Sequence, residues 1–220
     1  MTFLSKPHGA LSVIMMCGPP GCGKSSLSRA LHTLIRAAGG VPVWINQDEA
    51  GGYRRLYLEK IQNAMVDPSN THIILDKGNM QVAQRDDYHQ LQLKPVVTFW
   101  FFHPGGDHAM LRVCMDRIKK RGMSHRTLRT GWGGLSKKRI SGIVKQVVSQ
   151  AVRPEDHSVV DIDVSLSPTA AVEVAWKELQ QRVAKPYSGN IFDLVSAEVA
   201  VERSMKFEER ILSSPSSNDF

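Results

Sequence analysis

Residues 12–26, SVIMMCGPPGCGKSS, decide the reading of this chain. SVIMMC is a short apolar run that stops at a glycine cluster, which predicts a buried strand. GPPGCGKS, Gly18 to Ser25, then carries the spacing G-x-x-x-x-G-K-[ST]. Glycines at these positions let the backbone wrap with its N–H groups pointing inward at an anion. The helix expected from Ser25 onward adds the positive end of its dipole to the same point. Lys24 is then placed to bridge β- and γ-phosphates, and the Ser25 hydroxyl to bind Mg²⁺. The nucleotide-binding set read from this stretch is Gly18, Gly21, Cys22, Gly23, Lys24, Ser25 and Ser26. Phosphoryl transfer needs no thiol, so Cys22 reads as a small filler. A chance glycine-rich turn before a helix is the bland alternative, and the strand and helix on either side weigh against it.

Working outward, apolar runs alternate with helical spacing. Residues 25–38 place Leu27, Ala30, Leu31, Leu34 and Ile35 on one helix face, ending at Gly39-Gly40. Strands are predicted at 41–46, 71–76, 96–102 and 158–164, and helices at 53–65, 81–93, 108–120 and 137–151. A last helix is capped by Ser167 and opens with Pro168. Pro42 sets the second strand's start at an edge or a strand end. The alternation predicts an α/β fold of the P-loop NTPase type, a parallel sheet with helices on both faces and a helical lid. Its ligands would lie along the rim of the strands' carboxyl ends. The expected division is a domain over residues 1–185 and an appendage over 186–220, with a helix at 191–212 and a disordered polar end.

Composition sets the limits. The chain has 220 residues, 42% hydrophobic and 22% charged, which excludes a disordered or fibrous protein. Cys17, Cys22 and Cys114 form no CxxC pair, so neither a disulfide framework nor a zinc ribbon is expected. No apolar run approaches 18 residues and the N-terminus lacks a signal-peptide core, so the chain reads as soluble, with no membrane partner, and intracellular, nuclear or cytoplasmic. The net charge is +7, yet residues 112–145 hold eleven basic residues and one acid, Asp116, and the remainder is mildly acidic. A local excess of +10 suggests a polyanion-binding surface or a lid over phosphates; a solvated helix face is the plain alternative.

Two strands end in acids. INQDE places Asp48 at the carboxyl rim beside the phosphate loop, where a carboxylate can take a proton from an attacking hydroxyl. LDKGN brings Asp76 to the same rim with Lys77 and Asn79. Asp76 could hold Mg²⁺ through water, fix a substrate hydroxyl or a lid arginine, or serve as a strand-end turn residue. Arg121 opens the basic loop KKRGMSHRTLRTG, where a lid arginine can offset charge on a transferring phosphoryl group. Arg117, Arg126 and Arg129 compete for that role. No N-K-x-D guanine-reading motif occurs, so a kinase fits better than a GTPase switch. The aromatic run Phe99–Phe102 reads as core; Trp132 is the better stacking candidate. His103 and His125 read as hydrogen-bonders rather than metal ligands.

GPPGCGKS, INQDE, LDKGN and RGMSH occur in the order seen in P-loop polynucleotide 5′-kinases. The chain most resembles the kinase module of fungal-type tRNA ligases, over roughly residues 11–178, where RGMSHRTL is similar to a lid segment R-G-x-N-H-Q. The resemblance implies Lys24 and Ser25 on the phosphates and metal, Asp48 as general base toward a 5′-hydroxyl, Arg121 as the lid arginine and Asp76 on the acceptor side. Ser124 and Arg126 depart from the family's Asn and Gln, which bears on a GTP preference. The phage relative's acceptor arginine, three residues after its base, corresponds to Gly51, so Arg54 or Arg55 would stand in. Acceptor contacts are expected from Asp76, Asn79, Arg54 and Arg126. The expected function is transfer of the γ-phosphoryl group of GTP or ATP, with Mg²⁺, to a 5′-hydroxyl RNA end such as a tRNA exon, in tRNA splicing or RNA repair. The alternatives are a small-molecule or nucleotide kinase of the same fold, or an inactive RNA- or nucleotide-binding module. K-x-D-G and paired H-x-[ST] motifs are missing, so the ligase's other activities are not expected.

Overall fold

A computed structural model describes residues 11–121 and 135–183. Five strands form one parallel sheet: β1 (Ser12–Cys17), β2 (Pro42–Asn46), β3 (His72–Asp76), β4 (Pro95–Phe102) and β5 (Val159–Asp163), in the order β2-β3-β1-β4-β5. Among the described residues six helices connect and follow them, α4 and α5 both between β4 and β5: α1 (Lys24–Ala37), α2 (Arg54–Val66), α3 (Val82–Gln90), α4 (Gly106–Arg121), α5 (Lys137–Ser149) and α6 (Pro168–Arg182). Every element expected within these residues is present, with ends displaced by a residue or a few. Pro42 opens the edge strand β2, where its missing N–H leaves no ladder bond unmade. The tail beyond residue 183, and the lid segment 122–134 with Ser124, His125, Arg126, Arg129 and Trp132, lie outside the described residues.

β1 is buried along its whole length, so its side chains alternate between two cores. Ile14 and Met16 join Leu31 and Leu34 of α1, Trp176 of α6, and Phe99 and Phe101 of β4 on one face. Val13, Met15 and Cys17 join Tyr57 and Ile61 of α2 and Tyr88 of α3 on the other. Met110, Cys114 and Ile118 of α4, with Ile140 and Val144 of α5, close the first core beside the phosphate loop. Phe99 and Phe101 are therefore core residues, as their place in an apolar strand suggests. None of the described helices is long and apolar enough to cross a membrane.

This topology positions the site. β1 lies between β3 and β4, and the chain after it sits where crossovers depart to opposite sides of the sheet, the place where open α/β sheets bind ligands. The carboxyl ends of β2 and β3 fall on one side of it and those of β4 and β5 on the other.

Candidate active site

The loop from Gly18 to Gly23 is fixed by its own backbone and its neighbours. Gly18 N–H donates to the Gly78 carbonyl at 2.9 Å, tying the loop to the turn after β3. Gly21 and Gly23 take φ of 86° and 111°, a region that glycine enters without strain. A Cβ at Gly21 would also stand 2.6 Å from the Cys114 carbonyl oxygen, so α4 can pack against the loop only because that side chain is missing. Helix α1 starts at Lys24 with no side-chain cap and no acid in its first turn, which keeps its N-terminal N–H groups and dipole available to an anion. The Lys24 ammonium donates to the carbonyl of Pro19 in the loop at 2.9 Å, and Ser25, the next residue, is half-buried. Cys22 is buried, and its thiol is pushed up by that burial, as expected of a filler.

On the β4–β5 side, a cavity of about 270 Å³ opens from the loop. Gly21, Cys22, Gly23 and Ser26 form its wall, Leu27, Phe101, Ile162, Val164 and Val172 supply apolar surface, and Arg117, Lys120 and Arg121 of α4 bring cations. A slot whose lining combines apolar surface with these cations and with Asp163 suits a planar base and its phosphates. Arg121, the last residue of α4, is thus brought to the phosphate-loop side. Arg117 does something different: Nη1 donates to the Cys22 carbonyl and Nη2 to the Val164 carbonyl, both at 2.8 Å. One guanidinium bridges the phosphate loop to the turn after β5.

On the other side, strand register organises the acids. Asn46 pairs with Asp76 across β2 and β3, so their side chains share a face, and Trp44 lies two residues back on that same face. Asp76 Oδ2 accepts from Asn46 Nδ2 at 2.7 Å and Trp44 Nε1 at 3.1 Å. Asn46 Oδ1 in turn accepts the backbone N–H groups of Asp48, at 2.8 Å, and Glu49, at 3.1 Å. Buried Asp76 therefore orients Asn46, and Asn46 builds the turn that presents half-buried Asp48. Sequence reasoning missed Asn46; its signal was an Asx residue two positions before an acid at a strand end.

Asn79, expected to touch the acceptor, is placed otherwise, while Arg54 stays exposed in an ion pair. Asn79 is wholly buried: its amide donates to the Met16 carbonyl and its Oδ1 accepts from the Tyr88 hydroxyl at 2.7 Å. At φ 50° its own carbonyl takes the Arg85 guanidinium. Asn79 therefore pins the turn after β3 to β1 and does not face a ligand. Arg54 Nε donates to Asp87 Oδ2 at 3.0 Å, with Lys77 Nζ 3.7 Å from the same carboxylate. Hydrogen bonding from Arg54 holds the Asp87 carboxyl below its usual range, and burial pushes the Lys77 ammonium down. His103 accepts the Gly105 N–H at its Nδ1, which makes it a turn residue after β4.

The chain matches the family model of the tRNA ligase kinase domain over residues 13–164, more than two thirds of its length. It is similar to a solved structure described as a fungal RNA kinase, at 14% identity and a TM-score of 0.60, covering 92% of this chain and 96% of that one. A gluconokinase from Sinorhizobium meliloti 1021 is similar at 15% identity and a TM-score of 0.52, covering 79% and 94%. At such identities the two structures speak for a shared kinase fold. A comparison with curated protein sequences gives no match. The phosphate loop, the acid-bearing rim beside it and a family match spanning both lead to one conclusion: this chain is a kinase belonging to the tRNA ligase kinase domain family.

Proposed function

We propose that this protein is an NTP-dependent RNA kinase that transfers a γ-phosphoryl group to the 5′-hydroxyl of a broken RNA end. The observation that carries the reading is the disposition of the two half-sites. The cavity with Arg121 lies on the β4–β5 side of the phosphate loop, and the Asp48 turn on the β2–β3 side. A donor and an acceptor seated there meet the phosphoryl group from opposite sides, as in-line displacement requires. Asp48 accepts the proton of the attacking hydroxyl, Lys24 and the α1 N–H groups hold the phosphates, and Arg121 offsets charge on the transferring group. RNA as the acceptor is supported by family membership and by the basic excess in the sequence of residues 112–145.

Mg²⁺ fits the donor set. Such an ion takes only one or two protein oxygens beside phosphates and waters, so the lack of a larger acidic cluster among the described residues does not disfavour it. The Ser25 hydroxyl and, through water, Asp76 are the groups that would hold it; both Asp76 bonds fall on Oδ2. When bound, Mg²⁺ neutralises phosphate charge. The donor is GTP or ATP, the natural acceptor a tRNA exon or another repair intermediate, and the setting intracellular, nuclear or cytoplasmic. The kinase unit is assigned to residues 1–185.

Incubation with γ-labelled GTP or ATP, Mg²⁺ and a 5′-hydroxyl oligoribonucleotide tests the reading. Label is expected at the RNA 5′ end, and Lys24→Ala is expected to abolish it. Transfer to gluconate or nucleosides with none to RNA would instead establish a small-molecule kinase.

A further inference from the structure

The turn that presents Asp48 runs directly into an exposed segment, of which only Arg54 and Arg55 figure in the readings above. Gly51 N–H donates to the Asp48 carbonyl at 3.2 Å and Gly52 N–H to the Gln47 carbonyl at 3.0 Å. These bonds fold the loop back on itself and set Tyr53 beside the Asp48 turn. Gly51 and Gly52, at φ 70° and 77°, make the reversal possible. Tyr53 is 67% exposed, unusual for so large an aromatic. Its ring does not dangle. A Cβ on Gly51 would stand 3.3 Å from the ring, so one side of the tyrosine lies against glycine backbone while most of the ring faces solvent.

Arg54, the next residue, is built as carefully. Its side chain is 63% exposed, yet Asp87, 5% exposed, holds it in a two-pronged pair through Nε and Nη2. Lys77 lies against the same carboxylate, so the cluster carries a net positive charge. A guanidinium fixed this way keeps Nη1 and one Nη2 hydrogen for another partner, already aimed. Arg55 follows, exposed. A backed aromatic ring beside an oriented arginine is the chemistry that receives single-stranded nucleic acid: bases stack and backbone phosphates pair.

We propose that Tyr53 seats the acceptor strand next to its 5′ end by stacking on a base, beside Arg54, whose pairing with an acceptor phosphate is already expected from the sequence. This rests on the RNA-kinase reading and adds the surface that selects a polynucleotide over a small hydroxyl compound. Asp87 is the positioning residue for Arg54. The acids of the loop, Asp48 and Glu49, repel a phosphate, so the strand's register is set by Arg54.

The test measures the acceptor KM for a 5′-hydroxyl oligoribonucleotide and for a nucleoside 3′-phosphate, with binding of a 3′-fluorescent oligonucleotide measured separately. Tyr53→Ala is expected to raise the oligonucleotide KM and Kd about tenfold, the effect of one lost base–aromatic stack. It should leave the nucleoside 3′-phosphate KM and the donor KM in place, and Tyr53→Phe should restore oligonucleotide affinity. Arg54→Gln should weaken RNA binding and make the salt dependence shallower by about 0.7 in the log–log slope, one phosphate contact. Tyr53 is exposed, so an unchanged unfolding midpoint checks that the variant is intact. RNA phosphorylation by Tyr53→Ala with wild-type KM and Kd would overturn this inference, leave the RNA-kinase reading standing and point the surface to a protein partner. Failure of the wild-type protein to phosphorylate any RNA would overturn both.

Discussion

Asn46 and Asp48 are two residues apart on one turn, and their substitution should have opposite signatures. Asp48 is half-buried and its assigned work is to take a proton, so Asp48→Ala is expected to lower kcat roughly 10²- to 10⁴-fold, the range for a lost general base, with little change in stability. Asn46 is buried, and its amide serves Asp76 on one side and the Asp48 and Glu49 N–H groups on the other. Asn46→Ala leaves the Asp48 and Glu49 N–H groups without their acceptor and Asp76 with Trp44 alone, which is expected to lower unfolding free energy by about 1–3 kcal/mol. It should also lower kcat, because the Asp48 turn loses its frame. Denaturant unfolding and steady-state kinetics on both variants check this. Equal stability loss in the two would mean that Asp48 is a structural turn residue.

At the level of elements, the sequence carries most of the sheet and half of the site. Strand β1, the phosphate loop and α1 are local: apolar run, glycine spacing and helical periodicity sit within residues 12–37, so pattern reading finds them. The Asp48 turn is legible to the extent that it ends a strand. The Asn46–Asp76–Trp44 arrangement is not, because it follows from the register of β2 on β3, 30 residues apart. Asn79 misled for the same reason: a polar residue next to a rim acid looks ligand-facing until its partners, Met16 and Tyr88, are known. Arg117 is the clearest long-range case. Read as one of several rival lid arginines, it instead ties the phosphate loop to the β5–α6 turn, 47 residues on in the chain. Arg117→Lys is expected to raise the donor KM about tenfold and leave the acceptor KM alone, since an ammonium cannot bridge two carbonyls as a planar fork does, and one charge-assisted bond contributes roughly 1.5–3 kcal/mol. Acceptor and donor titrations on this variant separate the two effects; a shift in the acceptor KM alone would refute the clamp.

The whole molecule responds to pH and to salt through different parts. His72, buried at the start of β3, has its pKa lowered to about 4 by burial, from an ordinary 6.5. The unfolded chain therefore binds the proton more readily between those values. The stability contribution is complete above about pH 6.5 and is lost as pH falls toward 4, with about 2 kcal/mol gone at pH 5. Urea unfolding near pH 7.5 and pH 5 checks this, and His72→Gln should flatten the difference. Salt acts elsewhere. Helices α4 and α5 pack on each other and expose Arg112, Lys119, Lys120, Lys137, Lys138, Arg139 and Lys145, while the chain outside residues 112–145 is mildly acidic. Attraction to a polyanion is thus concentrated on one flank of the phosphate loop. If that flank neutralises three RNA phosphates, the log–log slope of affinity against salt is about −2, at roughly −0.7 per contact on a single strand. Raising salt fourfold should then weaken RNA binding about 15- to 20-fold. Replacing Lys137, Lys138 and Arg139 together by Gln should lower that slope without moving the melting temperature, since all three are exposed. A slope unchanged by the triple substitution would return α5 to an ordinary solvated face and leave RNA attraction to Arg54 and the phosphate loop.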